Sequence, residues 1–216
     1  MPLTNQKTTA FEAQLQGILR VHQTVDQATT EHELAVGKLA YALALAVGLK
    51  REDAEMIETA ACVHDIGKIA VPPAILHKNT PLSAEEFALI KEHSVVGAKL
   101  LNIGNHPTLK MAHDIALQHH ECFDGTGYPF GAKGDEISFA ARITALCDVY
   151  DALRAPRSYK ARKSHDEVLQ IITQGDGRVV PTMFDPRVLD AFRRNHRTLE
   201  AIYDGMNRID ANAGRD

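Results

Sequence analysis

A chain of 216 residues suits one domain with short extensions, and its 44% apolar content is enough to bury a core. The formal charge of −4, with 24% charged residues, excludes a broad basic surface for nucleic-acid polymers. Bound cations can still create a local anion site. Cys62, Cys122 and Cys147 are odd in number and form no CxxC pair, which points to a reducing cytoplasm.

Nearly every long segment has helical period. A first helix is expected over Ala10–Gln27, with Phe11, Leu15 and Ile18 on one face. A second is expected from about Thr30 to Val47, capped by Thr29 or Thr30 and ended by Gly48. It is too short for an ordinary membrane span and carries Lys38, and Met1–Ala10 lacks the apolar core of a signal peptide. No membrane association is expected. A third helix starts near Arg51 and turns Ala54, Ile57, Ala60, Ala61 and His64 inward, before Pro72-Pro73 breaks it.

Ser83 and Glu86 form a capping box that opens a helix running to about Leu101 and holding His93. Thr108–His120 makes another helix and delivers two adjacent histidines at its end. Gly125, Gly127, Gly131, Gly134 and Pro129 make 121–136 a loop. Helices are then expected over Ile137–Leu153 and Ser164–Thr173, with a last one starting at Asp185-Pro186. The fold class is all-α, a helical bundle with one long glycine-rich loop.

The chain has eleven histidines, so most of them need no function. His64-Asp65 ends an apolar helix. His119-His120 leads into the polar loop, where sites usually lie. Taken alone, His93 reads better as a solvent-facing helix residue, and His32 as a helix-start residue. Asp148 sits in the apolar stretch Ala145–Asp151, where a carboxylate without a partner is costly. Together these residues make a mixed nitrogen and oxygen donor set with no cysteine cluster. Such a set suits borderline-to-hard divalent ions such as iron or manganese.

Two segments, His64-Asp65-Ile66-Gly67-Lys68-Ile69 and Gly127-Tyr128-Pro129, resemble the signatures that name the HD-GYP family of metal-dependent phosphohydrolases. The likeness extends through His93 with Gly97, His119-His120-Glu121, Asp124-Gly125, Arg142-Ile143, Asp148–Leu153, Arg157, Tyr159-Lys160 and Phe184-Asp185-Pro186, or roughly His32 to Phe192. It implies an HD-domain helical bundle over 29–195, flanked by an N-terminal helical extension (1–28) and a C-terminal helical tail (196–216). The implied activity is hydrolysis of cyclic di-GMP to the linear dinucleotide pGpG, with GMP as a further product left open.

By the same resemblance, His64, Asp65, His93, His119, His120 and Asp148 are metal ligands, with Asp65 bridging two ions. His32 matches a further ligand position, used where a third ion is bound. In three-metal members a Glu lies one turn before that histidine, where this chain has Ala28. A binuclear site is therefore expected, with His32 a spare. Lys68 matches a lysine near the scissile phosphate and lies four residues after His64, on the same face if both are helical. Gly127, Tyr128, Pro129, Arg157 and Lys160 match positions that contact the dinucleotide. Asp124 is expected to shape the loop, and Asp151 to orient a ligand histidine.

The reaction so implied is in-line attack of a water-derived hydroxide on phosphorus, with Lys68 offsetting charge on the phosphoryl oxygens. Other readings stay open at this stage. Another cyclic dinucleotide, such as cyclic GMP-AMP, would stack as well. A module that binds nucleotide or protein without turnover is a different class, separable by the effect of His64→Ala and Asp65→Ala on hydrolysis. A separate regulatory signalling protein and a homodimer complete the expected partners.

Overall fold

The computed structural model describes Gly17, residues 27–155 and residues 162–213. The first predicted helix, apart from the helical and exposed Gly17 and from Gln27, which begins the next helix, lies outside the described residues, as do Arg157, Tyr159 and Lys160. Among the described residues there are helices and turns and no strand.

Helix α1 spans Gln27–Ala46 and α2 spans Arg51–Ala61. Thr29 and Thr30 therefore lie inside α1 rather than capping it, while Gly48, at φ +94°, ends it as expected. The buried residues Val36, Leu39, Ala40, Leu43 and Ala44 recur at helical spacing and make one apolar stripe along α1. A 3₁₀ turn over Ile66–Ala70 and the one-turn helix α3 (Pro73–Leu76) follow α2.

Helix α4 (Ala84–Leu101) opens on the predicted capping box: Glu86 N donates to Ser83 Oγ at 3.2 Å, and Ser83 N donates to the Glu86 carboxylate at 2.7 Å. Helix α5 spans Pro107–Gln118 and α6 spans Phe139–Arg154, the latter capped by Ser138. Helix α7 (His165–Gln174) has a second capping box, Ser164 with Glu167. Helix α8 (Pro186–Ala213) begins with proline at its first position, where no N–H is needed. It is continuous across residue 195 and buries Leu199 and Tyr203.

Two apolar clusters hold the bundle. The larger joins the α1 stripe to Ile143, Leu146 and Tyr150 of α6 and to Val188, Phe192 and Leu199 of α8. The smaller joins Val63 and Ile66 to Leu101 of α4 and to Ala112, Ile115 and Ala116 of α5. Val63 and Ile66 flank His64-Asp65 in sequence, so burying them drives that polar pair into the interior as well.

Gly67 sets how near α4 can come. A Cβ there would stand 1.9 Å from the carbonyl oxygen of His93 and 2.6 Å from the nitrogen of Gly97. Only glycine allows the two backbones this approach.

Candidate metal centre

The buried ionisable groups come from five separate segments. His32 lies on α1, His64 and Asp65 in the turn after α2, and His93 on α4. His119 and His120 follow α5, and Asp148 lies on α6. Two details differ from the sequence expectation. Helix α2 ends at Ala61, so His64 and Lys68 do not share a helix face; His64 sits in a turn and Lys68 in the 3₁₀ segment. Helix α5 ends at Gln118, leaving His119 as its C-cap and His120 in the following turn.

Asp65 is at the centre. Its Oδ1 lies 3.2 Å from His93 Nε2 and 3.6 Å from His119 Nε2. Its Oδ2 lies 3.5 Å from His64 Nε2 and 3.8 Å from His32 Nε2. The two oxygens of one carboxylate thus face two histidine sets. Donor atoms of Asp65, His93, His119 and His120 lie within 4.8 Å of one another, as do those of His32, His64 and Asp148. His32, expected to be a spare, lies in the second of these groups, with its Nε2 3.2 Å from Asp148 Oδ1.

The histidines are oriented for ligation. His64 Nδ1 bonds the Ala61 carbonyl at 2.8 Å, His93 Nδ1 that of Ile90 at 2.6 Å, and His119 Nδ1 those of Ile115 and Ala116 at 3.1 Å each. A backbone carbonyl only accepts, so Nδ1 carries the proton and each Nε2 keeps its lone pair. Burial lowers the pKa of His64 to about 3 and that of His93 to about 4, and it lowers His120 as well. These rings stay neutral across the physiological range.

The acids are held in the opposite sense. Burial works to raise Asp65, but the Lys68 ammonium outweighs it and keeps the carboxyl well below its ordinary range. Asp148 is lowered too, against burial, by its hydrogen bond with His32. Burial works to lower His32, yet its bonds to Asp148 and Asp151 lift it to about 10. His64 Nε2 and Asp65 Oδ1 are buried without a hydrogen-bond partner. Orphaned acceptors among neutral imidazoles and ionised carboxylates fit divalent cations and little else. The cluster can hold metal ions.

Lys68 Nζ donates to Asp65 Oδ2. Tyr128 stacks on His120 at 4.7 Å between ring centroids and 29° between planes, and its N–H donates to the His120 carbonyl at 3.1 Å. The Tyr128–Pro129 peptide is cis. Gly127 passes so close to the 120–122 backbone that a Cβ would lie 2.3 Å from Cys122 N. Asp124 shapes the loop as expected: it accepts from Thr126 N at 3.1 Å and from Thr182 Oγ1 at 2.8 Å. Asp151 Oδ2 lies 2.5 Å from His32 Nδ1, the orienting contact anticipated for it.

Two features escaped the sequence reading. Glu121 accepts from the Phe130 N–H at 2.8 Å and so ties down the far side of the loop. A cavity of about 210 Å³ opens beside His120, Tyr128 and Asp148, with Val149, Val179 and Met183 as its apolar walls. Val179 lies in an irregular segment and Met183 in the short 3₁₀ turn Pro181–Met183, neither with a periodicity that marks them in the sequence.

A sequence profile described as the HD domain matches residues 15–188. The chain is 38% identical over 162 residues to 3'3'-cGAMP-specific phosphodiesterase 2 of Vibrio cholerae, covering 75% of this chain and 30% of that protein. It is 39% identical over 168 residues to the cyclic di-GMP phosphodiesterase response regulator RpfG of Xanthomonas campestris, with coverages of 78% and 43%. A cyclic di-GMP phosphodiesterase of Thermotoga maritima is 36% identical over 178 residues, with coverages of 82% and 47%. The chain thus spans less than half the length of these relatives.

Among solved structures, Bd1817, an HDG"Y"P protein from Bdellovibrio bacteriovorus, superposes with a TM-score of 0.61 at 20% identity, over 78% of this chain and 52% of that one. The HD domain of the L. monocytogenes phosphodiesterase PgpH, in complex with cyclic-di-AMP, gives 0.56 at 18% identity, over 93% and 98%. At these identities the likeness is one of fold.

Proposed function

This chain belongs to the HD domain family, in its HD-GYP branch, and from its cluster of histidines and carboxylates we propose that it hydrolyses cyclic di-GMP to pGpG. The observation that carries the reading is Asp65, whose two oxygens face two separate histidine groups. Asp65 with His93, His119 and His120 would hold one divalent ion, and His32, His64 and Asp148 a second. When bound, such ions draw in a phosphodiester and lower the pKa of an attacking water. Iron or manganese suits the donors, which are nitrogen and oxygen with no thiolate.

The chain's own groups do the rest. Lys68, held by Asp65, sets a positive charge beside the reacting phosphate and offsets charge as the leaving oxygen departs. Tyr128 and the cavity next to it offer an aromatic face and apolar walls to a purine. Arg157 and Lys160 are assigned to the substrate by motif. Residues 29–195 form the catalytic unit, with Leu199 and Tyr203 of the following segment contributing to its core. The three free cysteines suit a cytoplasmic setting.

Cyclic GMP-AMP is the second candidate substrate, favoured by the likeness to the Vibrio cholerae enzyme. The test is hydrolysis of both cyclic dinucleotides by protein purified without oxygen, with its metal content measured. His64→Ala and Asp65→Ala should abolish turnover. Wild-type protein that is fully loaded with iron or manganese, binds the nucleotides and hydrolyses neither would instead be a binding module.

A further inference from the structure

We infer that Lys91 is a substrate-binding residue that holds the second phosphate of the cyclic dinucleotide, the one not being cleaved. This rests on the cyclic-dinucleotide reading above. A cyclic dinucleotide carries two phosphodiesters on opposite sides of its ring. Only one can sit at the ion cluster, and the other needs a cation of its own nearby.

Lys91 is placed for that task. It lies two residues before the ligand His93 on α4, and its Nζ stands 5.1 Å from the centroid of the Tyr128 ring. Tyr128 in turn stacks on His120. The same ammonium lies 4.8 Å from the ring of Phe87, one helical turn earlier, which is 45% exposed. Two aromatic faces therefore flank the charge beside Tyr128, and among the described residues its ammonium donates no hydrogen bond. Lys68 differs, being already paired with Asp65. Among the described residues no carboxylate is within ion-pairing reach of Lys91. A half-buried ammonium fixed by rings alone is ready to receive an anion, and a phosphate bound there gains charge-assisted hydrogen bonds.

The experiment compares wild type with Lys91→Met, which keeps the packing of the stem. Cyclic di-GMP is the substrate, and GpG, a linear dinucleotide with both bases but one phosphate, is the competitive inhibitor. The KM for cyclic di-GMP should rise about tenfold or more. Both kcat and the GpG inhibition constant should stay within about twofold. Lys91→Arg should restore most of the loss. Equal weakening of both ligands, or a fall in kcat together with the melting temperature, would overturn the assignment and leave Lys91 a prop for Tyr128. Should loaded wild type fail to hydrolyse cyclic di-GMP, the functional reading falls by itself. Equilibrium binding of the two ligands to both proteins then still decides the role of Lys91.

Discussion

His32 Nδ1 lies 2.5 Å from Asp151 Oδ2, a contact that joins α1 to α6 and turns His32 Nε2 toward Asp148. Among the described residues, His32 is the member of the cluster that the Asp151 carboxylate touches, so its effect on the cluster should pass through His32. Asp151→Asn removes the charge that faces the His32 Nδ1 proton and leaves only a neutral amide oxygen to accept it. We expect a ten- to hundredfold weaker hold, roughly, on the ion of the His32, His64 and Asp148 group. Competition with a graded chelator series reads this. Unchanged affinity for both ions would show that the contact does not orient His32.

Asp65 and Asp148 should differ in how much metal their loss removes. Asp65 faces both histidine groups, whereas Asp148 belongs to one. Elemental analysis after gel filtration should find about two ions per chain in wild type, close to none in Asp65→Ala and about one in Asp148→Ala. Equal loss in the two variants would contradict the bridging geometry.

Gly67→Ala should destabilise the fold by about 3 kcal/mol or more. The obstructing atoms, His93 O and Gly97 N, belong to the backbone of α4 and cannot rotate away. Moving α4 also displaces His93, so metal affinity should fall with stability. Gly104→Ala is the control, because its Cβ would meet Leu109 at an ordinary 3.5 Å. Urea unfolding of the two variants checks the contrast.

The metal-free protein should be most stable near pH 6.5 and lose stability on both sides. His64 and His93 have folded pKa values of about 3 and 4, below their ordinary 6.5. The unfolded chain therefore takes up their protons first, and their contribution, complete above about pH 6.5, is lost as the pH falls toward 4. His32 has the opposite sign. Its folded value is raised to about 10, so its contribution is complete below 6.5 and is lost as the pH rises through 10. Thermal melts at several pH values read both limbs. Metal loading should remove the alkaline limb, since an ion replaces the proton on His32. A metal-free protein whose melting point rises steadily from pH 7 to 10 would refute the His32 assignment.

Local chemistry was legible in the sequence wherever it is written in neighbouring residues. The Ser83–Glu86 box, the proline start of α8 and the glycine end of α1 depend on side chains within a few positions of the backbone groups they serve. The ligand types could be named for a similar reason, because the His64-Asp65 and Gly127-Tyr128-Pro129 signatures are short. The start of α1 was misplaced because Thr29 is as acceptable inside a helix held by packing as it is at a cap. The end of α2 was misplaced because apolar period continues through Val63 and Ile66 after the helical hydrogen bonds stop.

An all-helical fold with enough nitrogen and carboxylate donors for metal chemistry could be read from the residues alone. Tertiary structure alone decided that His32 joins the cluster, that the oxygens of Asp65 divide between two histidine groups, and that Val179 and Met183 wall a cavity beside Tyr128. The reason is distance along the chain. His32 and Asp151 are 119 residues apart, and no periodicity or cap reports a contact made only when α1 and α6 bury their apolar stripes against each other.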